Sequence, residues 1–392
     1  MRFVEDLDVR GKKVFLRVDF NVPLTDQGTI RDDTRIRASL PTITYLLEHG
    51  ARLVIASHLG RPKGKVDPKM SLKPAADCLA GLVPNKVTQA PDVIGPEVEK
   101  LKAALKDGEA LVLENVRFYK AETDNDDAFA KQLAEGIDIF VNDAFGSCHR
   151  AHASVEAIAK FVKEKAAGYL LKKEVDYLRK AVHTPAKPYV AILGGAKVED
   201  KIPVIENLLN KADDILIGGA MAYTFLKAQG KDVGKSLVED DKKDIALTIL
   251  KKAAEKKVNF LLPLDHVLAT SVDAAAETRI VDAPPFPADM MGVDVGPKTI
   301  EAYSKIIAGA KTIVWNGPLG VFEIDKFAKG TIKIAEAVAA SGAISIVGGG
   351  DSIAAVKKAG VKDKITHIST GGGASLEFLA YETLPGIEAL EK

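Results

Sequence analysis

The feature of this sequence that most constrains its fold is the alternation of short apolar runs with longer amphipathic stretches. The apolar runs predict strands at residues 14–18, 53–56, 111–113, 137–141, 190–193, 215–217, 260–262, 313–315 and 344–347. Several of these runs are continuously apolar rather than alternating, which is typical of strands buried on both faces of a parallel sheet.

Amphipathic stretches between these runs predict helices. They lie at residues 36–48, 97–105, 128–133, 202–209, 242–255, 300–308 and 332–339. Strand, helix and strand repeated in this way predict an α/β fold with doubly wound, Rossmann-like parallel sheets. Because the crossovers are right-handed, the loops that follow the strands lie along one edge of each sheet, where ligands bind.

Residues 168–188 are the best candidate for a domain boundary. Leu170, Leu171, Val175 and Leu178 share one stripe of a predicted helix, and Pro185 and Pro188 then make the connection after it stiff. The chain has 392 residues, enough for two or three domains of roughly 150 residues each. We therefore predict two doubly wound domains, 1–167 and 189–376, joined by a hinge helix within 168–188.

The composition excludes several classes of function. Lys plus Arg and Asp plus Glu both number 54, so no net charge draws the chain to nucleic acid or to a membrane surface. The longest apolar runs are far too short to span a bilayer. Two cysteines and an acidic, signal-free start indicate a cytoplasmic protein with no disulfide framework.

Glycine-rich turns follow the predicted strands of the second half. They lie at residues 194–197, 218–220, 316–320, 348–352 and 371–374. Glycine lets a backbone approach a ligand closely, and a helix that starts at such a turn directs free N–H groups at an anion. Tight packing of the turns is the alternative, but their number favours a phosphate site. No G-x-G-x-x-G motif occurs, and residues 230–236 miss the P-loop spacing by one residue.

Three charged residues accompany these turns. Asp351 follows three glycines, where a carboxylate can hold Mg²⁺ or can simply cap the helix. Lys197 and Lys201 are four residues apart, so in a helix both ammonium groups would share one face. The alternative for the two lysines is a solvated pair.

Basic residues follow the predicted strands of the first half. They are Arg35, His58, Arg61, Arg117, His149, Arg150 and His152. Arginine grips phosphate or carboxylate through two parallel hydrogen bonds, although each residue alone could be a surface or capping residue. No carboxylate or thiolate completes a zinc site around the histidines. Asp19 and Asn21 could bind a hydroxyl-bearing substrate, or Asp19 could form an ion pair with a nearby arginine.

Ordered motifs give the chain a resemblance to the phosphoglycerate kinase family over essentially its full length. In the first half they are 17–23 (RVDFNVP), 33–36 (DTRI), 57–62 (SHLGRP), 114–118 (ENVRF), 142–145 (NDAF) and 149–154 (HRAHAS). In the second half they are 194–198 (GGAKV), 200–202 (DKI), 315–323 (WNGPLGVFE), 348–352 (GGGDS) and 369–377 (STGGGASLE). The departures, at 147–148 and 155–157, touch no residue of these motifs that carries function.

The resemblance implies the ligands and the residues that bind them. The first domain is expected to hold 3-phosphoglycerate or 1,3-bisphosphoglycerate through Asp19, Asn21, Arg35, His58, Arg61, Arg117 and Arg150. The second is expected to hold MgADP or MgATP through Gly195, Lys201, Gly219, Asn316, Glu323, Gly349, Gly350, Asp351 and Ser352, with Asp351 as the Mg²⁺ ligand. The resemblance also implies a monomer whose final segment, 377–392, returns to the first domain.

The chemistry of phosphoryl transfer to a carboxylate suits these residues. A carboxylate is already ionised near neutral pH, so alignment and charge neutralisation matter more than a general base. Arg35 and Lys197 are the expected catalytic residues, with N–H donors from Gly371, Gly372 and Gly373 at a helix start. The alternatives are a catalytically silent anion-binding homologue, a sugar-phosphate isomerase and an NAD-dependent dehydrogenase. The missing dinucleotide motif argues against the dehydrogenase.

Overall fold

Two six-stranded parallel sheets organise the chain, and each belongs to its own structural unit. The computed structural model describes residues 1–392. One unit comprises Met1–Asp176 and Thr383–Lys392, and the other comprises Tyr177–Glu382. The α/β fold with two doubly wound sheets is therefore confirmed.

The strands run in chain order through both units. They are β1 (Lys13–Arg17), β2 (Arg52–Ala56), β3 (Val87–Gln89), β4 (Ala110–Val112), β5 (Ile139–Asn142), β6 (Glu164–Ala167), β7 (Tyr189–Leu193), β8 (Asp214–Ile217), β9 (Asn259–Leu261), β10 (His266–Ala269), β11 (Thr278–Val281), β12 (Met291–Val295), β13 (Thr312–Asn316), β14 (Ile344–Gly348) and β15 (His367–Ile368).

The helices separate these strands. They are α1 (Thr34–Glu48), α2 (Lys73–Leu82), α3 (Pro96–Ala104), α4 (Lys120–Thr123), α5 (Asp127–Leu133), α6 (Tyr169–His183), α7 (Ile202–Leu208), α8 (Met221–Ala228), α9 (Lys243–Lys256), α10 (Pro297–Gly309), α11 (Lys329–Ala340), α12 (Gly350–Lys358), α13 (Gly373–Tyr381) and α14 (Pro385–Glu391). No helix combines the length and the apolar content that crossing a membrane requires.

The first unit has the strand order β3-β4-β2-β1-β5-β6, with every pair parallel. All residues of β5 are buried, as are those of β1 and β2 after the first, as expected for strands covered on both faces. The chain leaves β1 toward β2 on one side, whereas β5 lies on the other side. This reversal opens a crevice at the carboxyl ends of β1 and β5.

The second unit has the order β15-β14-β13-β7-β8-β9, also parallel throughout. Its order reverses between β7 and β13, both fully buried, so a second crevice opens at their carboxyl ends. A small antiparallel sheet, β11-β10-β12, accompanies it. The sequence did not predict this sheet, because β11 is mostly exposed and none of its strands is a continuous apolar run.

Helix α6 begins within one residue of its predicted start and contributes residues to both units. Leu171, Val175 and Leu178 are buried along one stripe, as predicted, whereas Leu170 is only partly buried. After α13 the chain enters the first unit again as α14, where the Gly386 N–H donates to the Cys148 carbonyl at 2.9 Å. Both cysteines are free thiols, and burial raises the pKa of Cys148 to about 12, so that thiol is not a nucleophile.

Candidate active site

A polar cavity of about 660 Å³ lies at the crevice of the second unit. The glycine-rich turns after β7, β13 and β14 line it, together with the start of α13. The predicted residues that the structure brings together here are Gly195, Lys197, Lys201, Asn316, Gly349, Gly350, Asp351, Ser352, Gly372 and Gly373. Their convergence follows from topology, since these segments all follow carboxyl ends of neighbouring strands.

Backbone packing explains two of the glycines. Gly219 has φ +68°, and a Cβ there would lie 2.6 Å from the Gly195 nitrogen; Gly317 has φ +96° and faces the Gly194 backbone closely. The Gly195 N–H donates to the Pro318 carbonyl at 2.9 Å and ties two of the turns together. Tight packing and a ligand-binding role are therefore compatible, because the packed turns form the wall of the cavity.

Helices α12 and α13 both present uncapped N-termini. Gly349 and Gly372 are the N-cap residues, with φ of +91° and +54°, and neither end has a side-chain cap. The N–H groups of Gly350 and Gly373, which begin the two helices, are thus available to an anion, whereas the Ala374 N–H already donates to the Gly371 carbonyl at 3.0 Å. Gly371 differs from its neighbours, because its N–H already donates to the Ser369 hydroxyl at 3.2 Å.

Asp351 lies in the first turn of α12 and is exposed. The alternative that it caps the helix is wrong, because Gly349 occupies the N-cap position. Its carboxylate lines the polar cavity and also a neighbouring apolar one, so it lies where the two join.

The side chains of Asn316 and Ser352 connect the glycine-rich turns through hydrogen bonds. The Asn316 side-chain amide donates to the Gly348 carbonyl at 3.0 Å, and its Oδ1 accepts from the Lys201 ammonium. The buried Ser352 hydroxyl accepts from the Gly317 N–H at 2.6 Å. These contacts fix three βα turns relative to one another.

The two lysines of the cavity have different environments. The expectation of a shared helical face is wrong, since α7 begins only at Ile202 and Lys197 precedes the turn 199–201 that leads into it. Lys197 is exposed, and its ammonium makes no ion pair within the structure. Lys201 is partly buried, and burial lowers the pKa of its ammonium to about 8, against the opposing effect of Asp200 and Asp351.

An apolar cavity of about 300 Å³ adjoins the polar one. Its lining includes Gly219, Tyr223, Leu237, Val293 and Glu323. Gly219 and Glu323 were predicted from the resemblance, whereas the apolar members were missed because Leu237 and Val293 carry no motif signal. A flat, weakly polar group fits these walls.

In the first unit, the predicted residues cluster around Gly60. Asn21 accepts the Gly60 N–H through Oδ1 at 2.8 Å, and Arg117 Nη1 donates to the Gly60 carbonyl at 2.9 Å. Asp19 accepts the Asn21 N–H at 3.0 Å and forms an ion pair with Arg35. The alternative of an Asp19–arginine ion pair is thus what the structure shows.

Strong positive charge is concentrated at this edge of the first sheet. Burial lowers the pKa of Arg117 to about 10, helped by Arg17 and Arg150, yet this leaves it fully charged at neutral pH. The Arg117 Nε is buried without a hydrogen-bond partner. Arg61 and Arg150 are exposed. The exposed guanidinium groups beside the charged Arg117 suit a small anion, which can accept their hydrogen bonds.

The histidines of this cluster are neutral at physiological pH. Burial and neighbouring arginines lower the pKa of His149 to about 4 and that of His152 to about 3. The same causes hold the pKa of His58 well below its usual value. The positive charge that faces a ligand therefore comes from arginine alone.

Sequence reasoning missed the buried network beneath this cluster. Arg17, Glu122 and Ser154 are fully buried. Ser154 donates to Glu122 through its hydroxyl at 2.6 Å and accepts from Arg17 Nε at 2.8 Å. The available signal was an arginine inside an otherwise apolar strand, which requires buried partners.

Comparisons with known proteins agree on one family. The family model described as "Phosphoglycerate kinase" matches residues 4–382. A protein of that name from Acidobacterium capsulatum is 60% identical over 396 residues, which cover 99% of this chain and 98% of the relative. "Phosphoglycerate kinase, cytosolic" from Triticum aestivum is 56% identical over 390 residues, covering 99% and 97%. The solved phosphoglycerate kinase of Coxiella burnetii superposes with a TM-score of 0.91 at 44% identity and covers 99% of this chain and 97% of that one.

Proposed function

The chain belongs to the phosphoglycerate kinase family. On this basis we propose which of its two crevices binds each substrate. The enzyme reversibly transfers a phosphoryl group from 1,3-bisphosphoglycerate to ADP, giving 3-phosphoglycerate and ATP. In our proposal the arginine cluster of residues 1–167 binds the three-carbon acid. The polar and apolar cavities within 189–376 bind the nucleotide, residues 168–188 form the hinge, and the chain returns to the first domain within 377–392.

The observation that carries this proposal is the contrast between the two crevices. One presents several guanidinium groups, of which those of Arg61 and Arg150 are exposed, as binding of a small anion requires. The other joins an apolar cavity to a polar one with two uncapped helix N-termini, as a base with a phosphate chain requires.

A coupled assay of ATP formation tests the activity directly. With 1,3-bisphosphoglycerate and MgADP, the purified protein should form ATP at a rate typical of metabolic kinases, on the order of 1–10³ per second. Absence of ATP from folded protein would instead support a catalytically silent anion-binding homologue.

The side chains suit a mechanism of charge neutralisation. The acceptor carboxylate needs no general base, because it is ionised near neutral pH. Arg35 and Lys197 contact the oxygens of the transferring phosphoryl group, and N–H groups at Gly372 and Gly373 add further donors. These groups offset the charge on the phosphoryl oxygens and hold the donor and acceptor oxygens in line.

The residues present fit a nucleotide-bound magnesium ion. Mg²⁺ binds hard oxygen ligands, usually one or two carboxylates together with substrate phosphates. Asp351 is an exposed carboxylate at the junction of the two cavities and is the residue that would hold it. When bound, Mg²⁺ neutralises part of the charge on the nucleotide phosphates.

The low pKa of Lys201 predicts how nucleotide affinity depends on pH. Below about pH 8 the ammonium is charged and favours the phosphates, whereas above it the proton and the charge are lost. Affinity for ADP, measured by calorimetry, should therefore change little between pH 7 and 7.5, where the terminal phosphate of ADP, with a second pKa of about 6, is already mostly ionised. The affinity for ADP should fall as the pH rises through 8, by at most about tenfold per pH unit.

Lys201→Arg is the matched control, because arginine stays charged throughout this range. Its affinity should show no decline above pH 8. An equal decline in both proteins would assign the effect to another group.

Two ligands on separate units must meet for transfer to occur, so we propose that the units close around the hinge. Small-angle scattering should show a smaller radius of gyration with 3-phosphoglycerate and MgATP together than with either alone. An unchanged profile with both ligands would contradict closure.

We further propose a cytoplasmic monomer that binds neither nucleic acid nor membranes. The zero net charge and the cytosolic wheat relative support this proposal. Light scattering on the eluting protein should give a mass near the chain mass of 41.8 kDa.

A further inference from the structure

Arg17 is a fully buried arginine whose guanidinium reaches a predicted substrate residue. It belongs to β1, and its Nη2 lies 3.2 Å from Nδ1 of His58. Its Nε donates to the Ser154 hydroxyl at 2.8 Å, and its Nη1 donates to the Val18 carbonyl. The guanidinium is therefore held from several sides and cannot reorient freely.

The contact between Arg17 and His58 determines where the imidazole carries its proton. A guanidinium can only donate hydrogen bonds, since it has no acceptor and keeps its charge in proteins. Nδ1 of His58 must then be the acceptor and cannot carry a hydrogen. In the neutral ring the single N–H is consequently on Nε2.

The surroundings of His58 disfavour a second proton on the ring. The side chain is buried, with a relative exposure of 4%. The charged groups that face it are Arg17, Arg35 and Arg117, and His152 also lies nearby. Burial and these like charges hold the pKa of His58 well below 6.5, so the ring is neutral at physiological pH.

Glu122 explains how the chain tolerates a buried guanidinium. Its carboxylate lies 4.0 Å from Arg17 Nη2 and accepts hydrogen bonds from both the N–H and the hydroxyl of Ser154. All three side chains are buried. The buried charge of Arg17 is thus compensated by Glu122. Arg17 is therefore fixed in the position from which it donates a hydrogen bond to His58.

We propose that Arg17 is a positioning residue that fixes His58 as the neutral Nε2–H tautomer, so that His58 gives the three-carbon substrate one directed hydrogen bond and no charge. The substrate part of this inference rests on the proposed function, whereas the tautomer does not. Arginine then supplies the electrostatic attraction for the substrate, and the neutral imidazole orients it.

Nitrogen NMR on the ligand-free protein tests the tautomer without any activity measurement. In ¹⁵N-labelled protein at pH 7.5, His58 should show a protonated, pyrrole-type Nε2 and an unprotonated, pyridine-type Nδ1. His58→Gln identifies these resonances by their loss. His49 is an internal reference for the other tautomer, in which Nδ1 carries the hydrogen. Its Nδ1 lies 2.8 Å from the Tyr45 carbonyl, which can only accept a hydrogen bond.

A titration from pH 8 to 6 should leave the His58 resonances unchanged. A protonated Nδ1, or an imidazolium with two protonated nitrogens, would overturn the proposal whether or not the enzyme turns over. Failure of the ATP-formation assay would instead concern the proposed function and leave the tautomer untouched.

A double variant tests positioning by Arg17. Arg17→Met with Glu122→Gln removes both buried charges, so neither is left unpaired. We expect His58 to become a mixture of tautomers and KM for 3-phosphoglycerate to rise about 3- to 10-fold, with a smaller change in kcat.

The matched control is Arg52→Met with Asp107→Asn, which removes a surface ion pair of the same unit at 2.8 Å. It should leave both KM and the His58 resonances unchanged. A folded Arg17 double variant with the wild-type tautomer and KM would contradict the positioning role. If this variant does not fold, the spectrum of the unmodified protein decides the tautomer alone.

Discussion

Lys197→Ala should lower kcat by about 10²- to 10³-fold while the affinity for MgADP stays within a few-fold of wild type. The Lys197 ammonium lines the polar cavity, is exposed and has no ion-pair partner in the structure. It is therefore free to contact a ligand oxygen. Because we propose that it neutralises charge on the phosphoryl group during transfer, its loss should affect the transition state more than the bound nucleotide.

The backbone around Lys197 is held in place, so this substitution tests the side chain rather than the fold. The next residue, Val198, is fully buried, and its N–H donates to the Glu239 carboxylate. Steady-state kinetics and calorimetry on the same preparation give kcat and the dissociation constant. Lys305→Ala, at an exposed pair with Glu301 on α10, is the control and should change neither. Wild-type turnover in Lys197→Ala would remove this residue from the mechanism.

Asp351→Ala should weaken binding of MgADP by at least about tenfold and lower kcat/KM for the nucleotide further. Mg²⁺ is held largely by phosphates and by few protein carboxylates, so the loss of one carboxylate removes much of the protein's share. When EDTA removes Mg²⁺, we no longer expect Asp351→Ala to weaken nucleotide binding. Free ADP should bind the variant as tightly as wild type or more tightly, since a negative charge beside the phosphates is gone.

Calorimetric titrations with and without Mg²⁺ measure this sign change. Asp363→Ala, in the turn 362–364 of the same unit, is the control and should behave as wild type in both conditions. An equal loss of affinity with and without the metal would show that Asp351 supports the cavity structurally and does not act through Mg²⁺.

The sequence was sufficient to predict the two sheets and the edge of the second sheet at which the glycine-rich turns converge. Strands such as β7 and β13 are buried along their whole length, so their apolar runs have no solvent-facing residues to obscure them. The glycine turns that follow converge on one cavity because neighbouring parallel strands end at the same edge. Chemistry and topology therefore predicted which residues of the second unit lie together.

Other features depend on contacts that no local pattern encodes. The strands β10–β12 are short and partly exposed, so their pairing depends on distant partners rather than on apolar periodicity. Asp351 resembles an N-cap in sequence, but the N-cap lies two residues earlier, at Gly349, whose φ is positive. The Arg17–Ser154 contact joins residues 137 positions apart, and only the folded chain reveals it.

Two crystal structures, one with 3-phosphoglycerate alone and one with MgADP alone, test the division of labour between the units most directly. We expect the acid at the cluster around Gly60, within hydrogen-bond distance of its exposed guanidinium groups, and the ADP phosphates at the N-terminus of α12 beside Asp351. Both ligands on one unit, or either ligand away from these residues, would contradict the account.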